Sequence, residues 1–145
     1  YAQNGTIQTS DKTKKRNINN LDIQKMKLFI NGLTPCSYEM IDGTSGRTHY
    51  GFIAQDVEEL MNTLGMTSND FAGFIKSPKK IIKYEDGLKE PIEEIIDGEY
   101  NYSLRYDEFI APLITVVQEQ QKIIENQQKE IEQIKKDISK VYSPM

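Results

Sequence analysis

Apolar residues recur at helical spacing early and late in the chain, and between these segments the pattern shortens to that of strands. Met26, Phe29, Ile30 and Leu33 lie three and four residues apart. This predicts an amphipathic helix over roughly residues 20–31, with Gly32 as its C-terminal stop. Residues 36–41 and 48–53 read as two short strands, with Asp42-Gly43 as a turn signal between them. Residues 54–64 read as a second helix ended by Gly65, and residues 66–78 as a loop carrying Ser68, Asn69, Asp70, Gly73 and Pro78. From Lys79 to Arg105 the texture is that of a small antiparallel meander. Ile81-Ile82-Lys83-Tyr84, the acidic and apolar run 92–96 and the alternating run 100–104 are separated by Asp86-Gly87 and Asp97-Gly98. Residues 1–9 are polar and slightly β-prone, and read as the last stretch of an upstream β-rich body.

The C-terminal segment carries the clearest periodicity. With a and d at 110, 113, 117, 120, 124, 127, 131, 134, 138 and 141, the occupants are Ile, Leu, Val, Gln, Ile, Gln, Ile, Ile, Ile and Val. Every a position is β-branched, and the repeat is sustained over four heptads, which predicts a coiled coil about 48 Å long at 1.5 Å per residue. Ile at both a and d moves the preference from two strands towards three or more. Gln120 and Gln127 would form buried polar rings at d that cost stability and fix register. Glu119, Lys122, Lys129, Glu130 and Lys136 line the flanks, Pro112 lies near the helix start, and Asp107 is positioned as an N-cap. The competing arrangement is a long helix folded back on its own domain, whose core would be small for so long a stripe.

These elements predict an α+β fold: a small globular head with short antiparallel strands and two helices, followed by a long C-terminal helix forming a trimeric coiled coil. The expected division is 1–9 as the end of an upstream β-rich body, 10–106 as the head and 107–142 as the trimerisation helix. A length of 145 residues with 37% hydrophobic and 28% charged fits one compact domain plus an extended element. The net charge of -4 argues against nucleic acid, and neither Lys12–Arg16 nor Lys79-Lys80 interleaves with aromatics. Cys36 and His49 are the only cysteine and histidine, so neither an intrachain disulfide framework nor a zinc site is expected. No apolar run reaches membrane length, and no glycine-rich phosphate loop precedes a helix. No cofactor or metal is therefore expected.

Taken alone, Ser10 reads as a cap or turn residue at the head of a basic stretch. The stretch Thr9-Ser10-Asp11-Lys12-Thr13-Lys14-Lys15-Arg16-Asn17-Ile18 resembles the opening motif of the C-terminal intramolecular chaperone auto-processing domains of phage tailspikes, endosialidases and neck appendages. These are self-cleaving peptidases with a Ser-Lys dyad. The likeness continues through Phe29 to Tyr38 and is strongest at His49-Tyr50-Gly51-Phe52-Ile53-Ala54-Gln55-Asp56-Val57. It closes with Leu104-Arg105-Tyr106-Asp107-Glu108-Phe109-Ile110 running into the heptads. Two departures, at Lys14 and in the longer stretch 79–98, leave the dyad untouched.

The resemblance implies that Ser10 and Lys15 are the catalytic pair and that the cut lies beside Ser10. A serine hydroxyl needs a base, and lysine serves only when burial or a neighbouring cation keeps it neutral. Lys14 and Arg16 are such cations, and Lys14 is the alternative base. Attack on the Thr9 carbonyl with an N-to-O acyl shift cuts Thr9–Ser10. Cutting Ser10–Asp11 needs a strained ring or help from Asp11, so the chemistry favours the first bond. His49 reads either as a structural hydrogen bonder or as a group positioning Ser10 or the oxyanion. Gln55 reads either as a helix-start residue or as a second such support. The implied partners are two further copies of the chain and an upstream tailspike or fibre body in the same polypeptide, with assembly in the host cytoplasm and no role for nucleic acid or membrane. The alternatives are a non-catalytic trimerisation module and an adaptor binding partners through its last helix.

Overall fold

The computed structural model describes residues 10–42, 44, 46–83 and 92–142, with the backbone alone described at Ile92. The upstream stretch 1–9, Gly43 of the first turn signal, Tyr84 and Asp86-Gly87 lie outside the described residues. Among the described residues the architecture is α+β, with two small antiparallel sheets, short helices and one long C-terminal helix.

Helix α1 spans Ile23–Gly32. It starts later than the periodicity suggests because Asp22 caps it, its carboxylate accepting the Lys25 N–H at 2.8 Å. Met26 and Phe29 form its buried side. Gly32 is the last residue of the helix rather than a residue beyond its end, and Leu33 leaves in an extended conformation. Its role is close approach: a Cβ there would lie 2.5 Å from Leu60 Cδ1 of the second helix.

Strands β1 (Cys36–Tyr38) and β2 (His49–Gly51) pair antiparallel, Cys36 opposite Gly51 and Tyr38 opposite His49. Both are shorter than the sequence pattern predicts. Helix α2 spans Ala54–Thr63, burying Val57 and Met61. Gly65, at φ 64°, ends it as expected. The following stretch is partly the loop predicted, but Phe71 is buried, and strand β3 starts at Phe74 inside the predicted loop.

Among the described residues the predicted meander is one pair of long antiparallel strands. Strand β3 (Phe74–Lys83) pairs with β4 (Ile92–Leu104), Phe74 opposite Leu104 and Lys83 opposite Ile92. Asp97-Gly98 signalled a turn between strands. It lies within β4 at the register shift between Pro78 and Lys80, where Gly98 has φ 76°. Lys79–Glu99, Lys80–Glu93 and Lys83–Glu94 bridge the strands, all about half exposed, so each contributes little. Near the head, Lys76 joins Glu58 of α2 at 2.8 Å and lies over the ring of Tyr100.

The core is Phe29, Val57, Met61, Met66, Phe71, Phe74 and Phe109. Phe71 meets Phe29 and Phe109 edge-on at centroid distances of 5.0 and 4.9 Å. Phe109 ends a 3-10 turn over Tyr106–Phe109, from which helix α3 runs over Ile110–Val141. Asp107 is not the N-cap of α3. It lies inside the 3-10 turn, its carbonyl accepting the Ile110 N–H, and Phe109 precedes the helix without a side-chain cap. The turn has already supplied the helical entry, so a capping side chain has no separate place.

Phe109, Pro112 and Val116 hold the first turns of α3 to the head. The a/d stripe faces solvent from its start: Ile110 and Leu113 are 55% and 50% exposed, and Ile124, Ile131 and Ile134 are 57%, 47% and 57% exposed. The helix therefore does not fold back along the head. Gln121–Glu125, Gln128–Glu132 and Gln133–Asp137 hydrogen bonds support it on its other faces.

Candidate functional site

Asp11 organises the segment around Ser10. Its carboxylate accepts the Thr13 N–H at 2.9 Å and caps a 3-10 turn over Lys12–Lys14. The Lys14 N–H reaches the Asp11 carbonyl at 3.0 Å, and the Lys15 N–H reaches that of Lys12 at 3.2 Å. One tight turn thus separates Ser10 from Lys15, and it folds the chain back. Lys15 Nζ donates to Ser10 Oγ at 2.8 Å. The Thr13 backbone N–H, more than any other group, holds the Asp11 carboxyl below its ordinary value. Asn17 then takes φ 54°, a left-handed conformation that asparagine tolerates.

Ser10, Asp11, Lys14 and Lys15 are all exposed. The 3-10 turn packs against none of the other helices or strands among the described residues. The pair thus has the contact a Ser-Lys dyad needs, a hydroxyl within reach of an amine, in a solvent-exposed setting. Of the scissile atoms, the Ser10–Asp11 bond is described and Thr9 is not.

Neither expected support hydrogen-bonds to Ser10 or Lys15 among the described residues. His49 is on β2, stacked on Tyr38 at 5.5 Å. Gln55, in the first turn of α2, lines a cleft of 490 Å³ with Tyr38, Phe52, Asn101, Tyr102 and Tyr106. In this geometry both belong to the head.

Two residues without an assigned role join the two strongest sequence motifs. Tyr106 reaches across to the strand end, where its hydroxyl accepts the Phe52 N–H at 3.1 Å. The ring stacks on Phe52 at 6.0 Å, and Phe52 stacks on Phe109 at 5.2 Å. Gly51 makes room, since a Cβ there would overlap the Tyr106 hydroxyl. Burial, with the neighbouring Tyr106 phenol as a lesser cause, raises the Tyr38 phenol above its usual value. The sequence signal for this lock was present in both motifs, but it lay in their juxtaposition.

Residues 10–66 match a family model described as the chaperone of endosialidase, so the family resemblance read from the sequence is shown over that segment. No curated protein matches the chain. Two solved structures share its fold. One is the carboxy-terminal domain of the bacteriophage T5 L-shaped tail fibre with its intramolecular chaperone domain. It is 21% identical, with a TM-score of 0.58 over 89% of this chain and 33% of that one. The other is described as a novel intramolecular chaperone and is 18% identical, with a TM-score of 0.58 over 78% of this chain and 98% of that one. The chain thus spans about a third of the tail-fibre structure.

Proposed function

We propose that this chain is the intramolecular chaperone of a phage tail fibre, that it associates as a trimer along α3, and that it releases itself by cutting the backbone beside Ser10. The observation that carries this reading is the 2.8 Å contact from Lys15 Nζ to Ser10 Oγ, within a segment matched by the chaperone family model. Residues 1–9 are then the end of the fibre body, 10–106 the processing head and 107–142 the trimerisation helix, and the work is done in the host cytoplasm during virion assembly.

In the proposed reaction, neutral Lys15 takes the Ser10 hydroxyl proton as Oγ attacks the Thr9 carbonyl carbon. The C–N bond breaks as the C–O bond holds, and the amide nitrogen receives the proton from Lys15. The product is an ester of Thr9 on Ser10 with a free Ser10 amine. Water then opens the ester, leaving the Thr9 carboxylate and a fragment beginning at Ser10. Fibre chains must be brought into register before they can pair, and a trimerising end raises the local concentration of the other two. Removing that end afterwards would leave the fibre kinetically trapped.

The test is expression of the chain behind its upstream body, with mass spectrometry of any fragment. Ser10→Ala and Lys15→Ala should each slow release by at least about 100-fold, the usual scale for losing a nucleophile or general base. Release that persists in Ser10→Ala refutes the reaction, and normal cutting in Lys15→Ala moves the base to Lys14. A second reading, a trimerisation module without catalysis, draws on the exposure of both side chains. It predicts no fragment from the unsubstituted chain under any assembly condition.

A further inference from the structure

An apolar groove of 330 Å³ lies beside the start of α3, lined by Ile30, Leu33, Pro35, Phe52, Tyr106 and Phe109 and closed by Ile110 and Leu113. The last two are the first a and d positions of the heptad. The groove is therefore continuous with the stripe that runs down the helix. Resting on the trimer reading above, we propose that this groove receives the Ile114 side chain of a neighbouring copy, so that the contact between copies begins in the head rather than at the end of it.

The register carries this assignment. In a parallel coiled coil the g position of one helix faces the e position five residues on in its neighbour. Extending the heptad back one residue puts Phe109 at g, and its counterpart is Ile114 of the next copy. Phe109 is the groove's aromatic floor, and Ile114 is half exposed in the single chain with no place in its own groove. Further along, the alignment supplies one charge-complementary pair. It sets Glu130 at g opposite Lys135 at e of the neighbour, an attractive pair, and Ile123 opposite Gln128. It also accounts for Ile114, which lies outside the a/d stripe. On the lower helix the e positions are Gln121, Gln128 and Lys135, and only at the groove is e apolar.

Disulfide trapping between differently marked full-length chains tests this, in a Cys36→Ser background so that no native thiol competes. A Leu33→Cys chain is mixed with an Ile114→Cys chain, and in parallel with a Lys122→Cys chain whose position f faces outward. Cross-linking to Cys at 114 should exceed that at 122 by at least ten-fold, and light scattering should give the mass of three chains. A trimer with equal trapping at both positions, or none at either, overturns the groove assignment while leaving the trimer intact. A monomeric chain removes the trimer reading and this inference with it.

Discussion

Gly51→Ala tests whether the Tyr106 lock holds the head together. The new Cβ would overlap the Tyr106 hydroxyl and lie 3.0 Å from Tyr106 Cζ and 3.4 Å from Tyr38 Cε1. A tyrosine hydroxyl at the end of a free side chain would swing aside. Here the ring is held by Phe52 at 6.0 Å and Phe109 at 6.1 Å, so relief requires moving a packed aromatic. Overpacking of this kind costs about 1–3 kcal/mol. Displacing the hydroxyl also abandons the Phe52 N–H, worth about 1 kcal/mol. The expected destabilisation is about 2–4 kcal/mol, read from the urea midpoint at unchanged slope. Tyr106→Phe alone should cost about 1 kcal/mol, the lost acceptor. In the double variant the overlap with oxygen is gone, so the second substitution should cost about 1 kcal/mol or more less than in the parent. Gly51→Ala costing under about 0.5 kcal/mol, or costs that simply add, would refute the reasoning.

Two further outcomes follow. Thr67 gives both its N–H and its hydroxyl to the Asp70 carboxylate at 2.7 Å, and the backbone contact foremost lowers that carboxyl from 3.8. A lowered folded-state value means stabilisation that is present above the unfolded value and is lost as pH falls below it. Thermal midpoints should therefore drop as pH falls below 3.8, and Asp70→Asn should flatten part of that fall. On α3, Ile131→Asp should reduce the scattering mass to that of one chain while the near-ultraviolet signal of the head tyrosines persists. Retained trimer mass would show that the stripe is not the contact.

What was legible in the sequence depended on how far apart the deciding residues stand. The helices over residues 23–32 and 54–63 are written in spacings of three and four, so their periodicity could be read directly. The heptads were legible for the same reason, and the exposed isoleucines of α3 agree with them. Asp97-Gly98 misled because a glycine at positive φ serves a bulge as well as a turn. Which of the two it makes is decided by the partner strand some twenty residues earlier. Phe71 was hidden in a polar stretch, and only the meeting of Phe29 with Phe109 creates its pocket. Tyr106 and Phe52 are 54 residues apart, so no local pattern announces their hydrogen bond. For the candidate site, the approach of Lys15 to Ser10 is local, five residues through one capped turn. Whether His49 or Gln55 supports the pair is a tertiary question; in the single chain His49 stacks on Tyr38 and Gln55 lines a cleft of the head.

That single chain has two exposures of different kinds. The α3 stripe is apolar surface left in water, and burying a half-exposed isoleucine is worth about 1 kcal/mol. Repeated down the helix on each copy, the gain is of the size needed to offset the entropy of association. The Ser10–Lys15 pair is polar surface left in water. A general base must be free to accept the hydroxyl hydrogen, and burial favours the neutral form of an amine. Association answers the first exposure directly. It answers the second only if a neighbouring copy comes down over residues 10–15. On this reasoning assembly is the step that desolvates the lysine. The chain with Ile131→Asp, fully folded in its head and carrying an intact dyad, should then leave its upstream body uncut.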